Sequence, residues 1–132
     1  MKIENQVCTL KQANRLKELG VTQDSILYYY PSCGELLLKG RLVTKTGTQY
    51  KKVLVGKDLA SCSAFTVAEL GEMLADNAQI PAKSHDGDYW YIYLDKYEQF
   101  KTEAQTRAAL LIYFLEKGGI TATEVNQRLQ NS

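Results

Sequence analysis

The stretch TEAQTRAALLIYFLEKGG, residues 102–119, decides the fold. It starts with a threonine followed three positions later by a glutamine, and such a threonine hydroxyl can accept the backbone N–H of the third helical residue. It ends at Gly118-Gly119, which favours the left-handed turn that closes a helix. Eight consecutive apolar residues, 108–115, are too many for a single helical stripe. We therefore predict a helix over 103–117 that lies in the core.

The same threonine pattern recurs along the chain and predicts three further helices, over 10–19, 67–75 and 124–130. The pairs that carry it are Thr9/Gln12, Thr66/Glu69 and Thr121/Glu124. Gly20 closes the first of these helices. Gly71, within the second, costs about 1 kcal/mol relative to alanine, which indicates close packing of another backbone against it.

Strand-like segments separate these helices. Residues 26–30 are rich in strand formers and end at Pro31. Residues 35–45 and 49–55 form a predicted hairpin around Thr46-Gly47, whose register places Val43 opposite Tyr50, Arg41 opposite Lys52 and Lys39 opposite Leu54. Residues 89–94 alternate between two sides, with Trp90, Ile92 and Leu94 on the core side and Tyr89, Tyr91 and Tyr93 on the other.

These elements predict an α+β fold in a single domain spanning 1–132. Its small, mostly antiparallel sheet contains segments 26–30, 35–45, 49–55 and 89–94, with the third helix packed on one face and the second helix beside it. The chain has 45% apolar and 23% charged residues, as in ordinary globular proteins. Its longest apolar run is far short of the roughly 20 residues that span a bilayer. With no secretory signal at the N-terminus, we expect a cytoplasmic protein without a membrane partner.

Few residues carry recognisable chemistry. Cys8, Cys33 and Cys62 are widely spaced, and His85 is the single histidine, which argues against a zinc site or a disulfide framework. The Asp86-Gly87-Asp88 loop starts like a calcium loop but lacks the later ligands. We therefore predict no catalytic residue, no metal and no cofactor, and a protein that is not an enzyme.

Two surfaces are candidates for binding. The stripe of Tyr89, Tyr91 and Tyr93 predicts a contact with a protein partner or with a second copy of the chain. The alternative is nucleic-acid binding, because residues 34–57 carry a net charge of +5 whereas residues 58–100 carry −6. The predicted hairpin groups the side chains for that alternative: Lys39, Arg41, Lys45, Tyr50 and Lys52. Residues 119–130 also resemble the turn and second helix of a helix-turn-helix motif, with Asn126, Gln127, Arg128 and Gln130 on its exposed side.

Several stretches are similar to a family of small hypothetical proteins that phages and mobile elements of gut bacteria encode. They are residues 4–8, 16–21, 64–74 and 102–104, then Arg107-Ala108 and Leu111-Ile112-Tyr113, and the string FTVAELGEML at 65–74 is the most specific. The resemblance implies a phage-related accessory protein in the cytoplasm of a bacterial host. It implies no activity, and it does not include the basic segment 34–57.

Overall fold

The computed structural model describes residues 3–30, 35–38, 41–43, 50–52, 62–75 and 81–131. Within these ranges the helices are the 3-10 helix Ile3–Gln6, α1 Leu10–Glu18, α2 Val67–Leu74, α3 Glu103–Lys117 and α4 Ala122–Asn131. The strands are β1 Leu27–Tyr30, β2 Glu35–Leu38, β3 Arg41–Val43, β4 Tyr50–Lys52, β5 Cys62–Ser63, β6 Ala82–Lys83, β7 Trp90–Tyr93 and β8 Tyr97–Phe100. The predicted α+β class and the four predicted helices are confirmed.

The predicted threonines cap the helices. In α1, Gln12 N donates to Thr9 Oγ1 and Thr9 N donates to Gln12 Oε1, both over 3.1 Å. The same reciprocal bonds join Thr66 and Glu69 at α2. Satisfying two otherwise orphaned N–H groups at once fixes the first residue of each helix.

The prediction of one sheet is wrong, because the strands form two. One sheet has the order β4-β3-β2-β1-β5 and the other has the order β6-β7-β8, and all neighbours are antiparallel. Segment 89–94 therefore belongs to a second sheet, between two strands that the sequence did not predict. β6 has two residues, and the apolar residues of β8, Tyr97 and Phe100, are three positions apart, so neither strand shows the period-two alternation that predicts a strand.

Segment 35–45 is also not one strand. Leu38 of β2 lies opposite Arg41 of β3 in an antiparallel pair, so the chain reverses between them. The leucines on both sides of this reversal keep the period-two pattern, which therefore predicted a single strand. The predicted pairs Val43–Tyr50 and Arg41–Lys52 are confirmed. The pair Lys39–Leu54 and the turn at 46–47 lie outside the described residues.

α3 packs against α1, α2, β7 and β8. Leu110 and Leu111 are fully buried, as predicted, whereas residues 112–115 are only half-buried because this part of α3 reaches the surface. Among the described residues, α3 thus covers the three-stranded sheet through its contacts with β7 and β8. The neighbour of Gly71 is the Arg107 side chain, with Nη1 3.5 Å from where a Cβ would lie, and not a backbone.

Across the described ranges, each helix is too short or too polar to cross a membrane.

Candidate protein-binding surface

β7 has one buried side and one exposed side, as its alternation predicts. Ile92 is 3% exposed and belongs to the core, and Trp90 and Leu94 on the same side are half-buried. On the other side, Tyr89 and Tyr93 are 45% and 48% exposed. Tyr91 lies between them and is half-buried. The sheet thus directs three tyrosines away from α3.

β8 adds a fourth tyrosine, which lies outside the predicted stripe of residues 89–94. Tyr97 lies opposite Tyr93, the two rings meet edge to face with centroids 5.0 Å apart, and Tyr97 is 74% exposed. We call Tyr89, Tyr91, Tyr93 and Tyr97 the tyrosine face. Tyr97 was not placed with the other three because β8 was not predicted, and its sequence YEQF does not alternate between apolar and polar residues.

The tyrosine face continues into uncharged neighbours, one apolar and one polar. Register places Ala82, Tyr91 and Gln99 in one row across β6, β7 and β8. Tyr91, Tyr97 and Gln99 line a shallow groove of about 290 Å³. The groove therefore offers two tyrosine rings and an uncharged amide, and none of these lining residues carries a charge that a partner would have to desolvate.

The β7–β8 turn is held against α3 by one polar contact. Tyr113 Oη donates to Asp95 Oδ1 over 2.9 Å, and this bond to a carboxylate raises the pKa of Tyr113. Lys117 Nζ lies 5.9 Å from the centroid of the same ring. The Tyr113–Asp95 bond positions the end of the hairpin that carries Tyr93 and Tyr97 before any partner binds.

A larger open cleft of about 740 Å³ lies at the Tyr89 end of the face. Its charged lining residues are mixed in sign: Lys83, Asp88, Lys101 and Glu103. Lys83 Nζ lies 5.7 Å from the Trp90 ring centroid, and Glu103 pairs with Arg107 at 2.9 Å. Because both signs are present and two of the four groups are already engaged, the cleft selects neither an anion nor a cation.

The loop around His85 is explained by its own hydrogen bonds. Ser84 Oγ donates to Asp86 Oδ1 over 2.7 Å and Asp88 N donates to the same oxygen over 3.2 Å, and these bonds lower the pKa of Asp86. Gly87 has a φ of +82°, a conformation that glycine adopts without strain. The part of the chain that the structure describes contains no group of three His, Cys, Asp or Glu residues that could hold a metal ion.

The described cysteines are buried thiols. Burial raises the pKa of Cys8 to about 12 and also raises the pKa of Cys62. Since the thiolate is the nucleophile, neither group is activated at neutral pH. Cys33 lies outside the described residues.

The basic ribbon of the alternative hypothesis is described only in part. Arg41 lies directly opposite Lys52, Val43 lies opposite Tyr50, and β4 forms one end of the five-stranded sheet. Lys39 and Lys45 lie outside the described residues. The structure thus brings together three of the five candidate residues in the predicted register.

α4 uses its polar side chains within the fold. Asn126 accepts from Thr22 N over 2.7 Å and donates to Gly20 O over 3.0 Å. Arg128 Nη1 donates to the carbonyl oxygens of Met73 and Leu74, at the end of α2, over 3.1 and 3.3 Å. Two of the four side chains that a helix-turn-helix would present to DNA bases are therefore already committed.

Comparison of the chain with protein-family models, curated proteins and solved structures finds no match in any of the three.

Proposed function

We propose that the protein is a non-enzymatic accessory protein of phage or mobile-element origin that binds a protein partner through the tyrosine face. The observation that carries the proposal is the outward side of β7 and β8, where Tyr89, Tyr93 and Tyr97 are 45%, 48% and 74% exposed. Tyrosine is enriched at protein interfaces because its ring provides apolar area while its hydroxyl forms a hydrogen bond.

The arrangement of the face favours binding for a second reason. Tyr93 and Tyr97 already contact each other, and the Tyr113–Asp95 bond holds their turn against α3. A partner therefore does not have to order this hairpin, and ordering is one of the main costs of association.

The origin rests on the similarity of residues 64–74 and the other quoted stretches to phage-encoded proteins. The proposal that the protein is not an enzyme is supported by the chemistry of the candidate catalytic groups. Burial raises the pKa of the Cys8 thiol to about 12, and the hydrogen bond between Ser84 and Asp86 stabilises the loop around His85.

Site-specific photo-cross-linking tests the proposal. A benzoylphenylalanine placed at position 97 should cross-link a protein in phage-infected host cells, whereas the same group at the exposed Gln127 of α4 should not. The adduct at position 97 should disappear in a Tyr89→Ser/Tyr93→Ser background that keeps its thermal stability. Equal adducts at positions 97 and 127 would contradict a role for the tyrosine face.

Nucleic-acid binding by the basic ribbon is a second candidate, and the confirmed register favours it. Like charges directly opposite each other in an antiparallel pair are unfavourable, and a phosphate near Arg41 and Lys52 would relieve that repulsion.

The test is a fluorescence-anisotropy titration with single- and double-stranded DNA and RNA at several salt concentrations. Removing two phosphate contacts with Arg41→Ala/Lys52→Ala should weaken binding and reduce the log–log salt slope by about 2. Lys11→Ala/Lys117→Ala removes the same charge from α1 and α3 and should leave the slope unchanged. Absence of wild-type binding at tens of micromolar eliminates this candidate.

A further inference from the structure

β8 forms one edge of the three-stranded sheet. Within the described ranges it pairs with β7 and with no other strand. Alternate backbone N–H and C=O groups of residues 97–100 therefore point away from the sheet, and such an edge can accept another extended chain. The opposite edge, β6, has two residues and offers a much shorter template.

Side chains beside this edge provide a place for one side chain of an added strand. The groove of about 290 Å³ between Tyr91, Tyr97 and Gln99 lies on the outward side of β7 and β8. Residues of an incoming strand alternate between the two sides of the sheet, so every second residue would face this groove. An apolar or aromatic residue suits it, because two of its three walls are tyrosine rings.

The charges at the ends of β8 indicate what flanks that strand. Lys96 and Lys101 are exposed, bracket the strand and make no ion pair among the described residues. The nearest acid in sequence to Lys96, Asp95, accepts a hydrogen bond from Tyr113. Acidic residues at both ends of an added strand would lie close to these two ammonium groups, and opposite charges across strands are favourable.

The charges of β8 argue against a second copy of the chain as the occupant. In a symmetric antiparallel pair, residues on the same side of the sheet lie opposite each other, and the register centred on Glu98 places the two Glu98 carboxylates directly opposite each other, which is unfavourable. Lysines such as Lys96 and Lys101 beside an exposed edge strand commonly prevent such self-pairing.

We propose that β8 binds an extended segment of a protein partner as a fourth strand, with an apolar or aromatic residue in the Tyr91–Tyr97–Gln99 groove and acidic residues near Lys96 and Lys101. This inference rests on the proposed function of the tyrosine face and specifies the partner chemistry.

A random linear dodecamer library displayed on phage, selected against the full chain, provides the first test. Enriched sequences should alternate apolar and polar residues between two acidic ends. Failure to enrich such sequences over a selection against Tyr97→Ser overturns the proposal.

The best peptide is then synthesised in three forms: unmodified, N-methylated at every odd amide and N-methylated at every even amide. In an added strand, only every second backbone N–H faces the sheet and donates to it. One methylated form should therefore lose at least tenfold in affinity, while the affinity of the other changes less than twofold. Side-chain binding without strand pairing would affect both forms alike, and that result overturns the inference while position 97 still cross-links the partner.

Charge reversal supplies the matched control. Lys96→Glu/Lys101→Glu should lose at least tenfold in affinity for the acid-flanked peptide and regain it for the same peptide with lysine ends. Unchanged affinity would remove the assigned role of the two lysines. A concentration-dependent dimer in sedimentation experiments that excludes the peptide would identify a second copy as the occupant and also overturn the proposal.

Discussion

Two tyrosine-rich strands in this protein have opposite surroundings. Tyr28 and Tyr29 of β1 are 3% and 7% exposed, whereas Tyr93 of β7 is 48% exposed. β1 and β7 each lie between two other strands, so position within a sheet does not explain the difference. The difference in exposure follows from the number of strand faces that other elements cover.

Consecutive residues of a strand point to opposite faces. Because Tyr28 and Tyr29 are both buried, both faces of β1 are covered. Their hydroxyls also have partners, since Tyr29 donates to the Cys8 carbonyl and Tyr28 donates to the Gln23 carbonyl over 3.3 Å. In β7, Ile92 is buried and Tyr93 is not, so α3 covers one face and the tyrosine face stays open. Tyrosines thus stabilise the fold at one site and form the candidate interface at the other.

The largest expected effect on stability distinguishes the buried tyrosines of β1 from the tyrosine face. Tyr29→Ala removes a buried ring and should lower the free energy of unfolding by about 3–5 kcal/mol. Tyr97→Ala removes an exposed ring and should change it by less than about 0.5 kcal/mol. Urea unfolding followed by circular dichroism measures both. If both variants lost a similar amount of unfolding free energy, Tyr29 and Tyr97 would not differ in burial.

A slightly smaller effect should show that α3 supports the sheet beneath the tyrosine face. Leu111 is fully buried, and Leu111→Ala should lower the free energy of unfolding by about 2–5 kcal/mol. Thr123→Ala, at an exposed position of α4, is the comparison and should change it little. A loss below about 1 kcal/mol for Leu111→Ala would make α3 peripheral and leave the inner face of β7 without its cover.

Local signals in the sequence predicted the helices and the hairpin register. A threonine cap such as Thr66 and a closing glycine such as Gly20 act within one turn of chain, so they can be read without knowing the tertiary structure. The register of β3 and β4 depends on a short connection and was likewise predictable. The division into two sheets was not, because it depends on which strands meet over long distances in sequence.

The tyrosine face, too, was predictable where local signals determine it and unpredictable where distant elements do. Alternation along β7 predicted that Tyr89 and Tyr93 point to one side of the sheet and Ile92 to the other. Their exposed fractions confirm that arrangement. Whether a tyrosine-rich strand has one covered face or two depends on packing by distant elements, so the sequences of β1 and β7 could not separate buried from exposed tyrosines. Tyr97 joins the face through pairing with Tyr93, which a one-strand pattern does not contain.

The smallest of these effects tests the dry environment next to Tyr29. Cys8 accepts the Tyr29 hydroxyl bond at its carbonyl, and burial raises the pKa of its thiol from 9.0 to about 12. Above pH 9 the unfolded chain releases this proton and the native protein keeps it, so the stabilisation is complete below pH 9 and is lost between pH 9 and 12.

Between pH 7 and pH 10 the contribution of Cys8 should therefore lower the free energy of unfolding by about 1.4 kcal/mol. Cys8→Ala removes the titrating group, so its free energy of unfolding should decrease with pH by about 1.4 kcal/mol less than that of the wild type. Urea unfolding at pH 7 and pH 10, under reducing conditions, gives both values. Thr123→Ala, at an exposed position that does not titrate, should keep the wild-type pH dependence. If Cys8→Ala keeps it too, the thiol ionises equally in the folded and unfolded chain, and water reaches the buried surroundings of Tyr29.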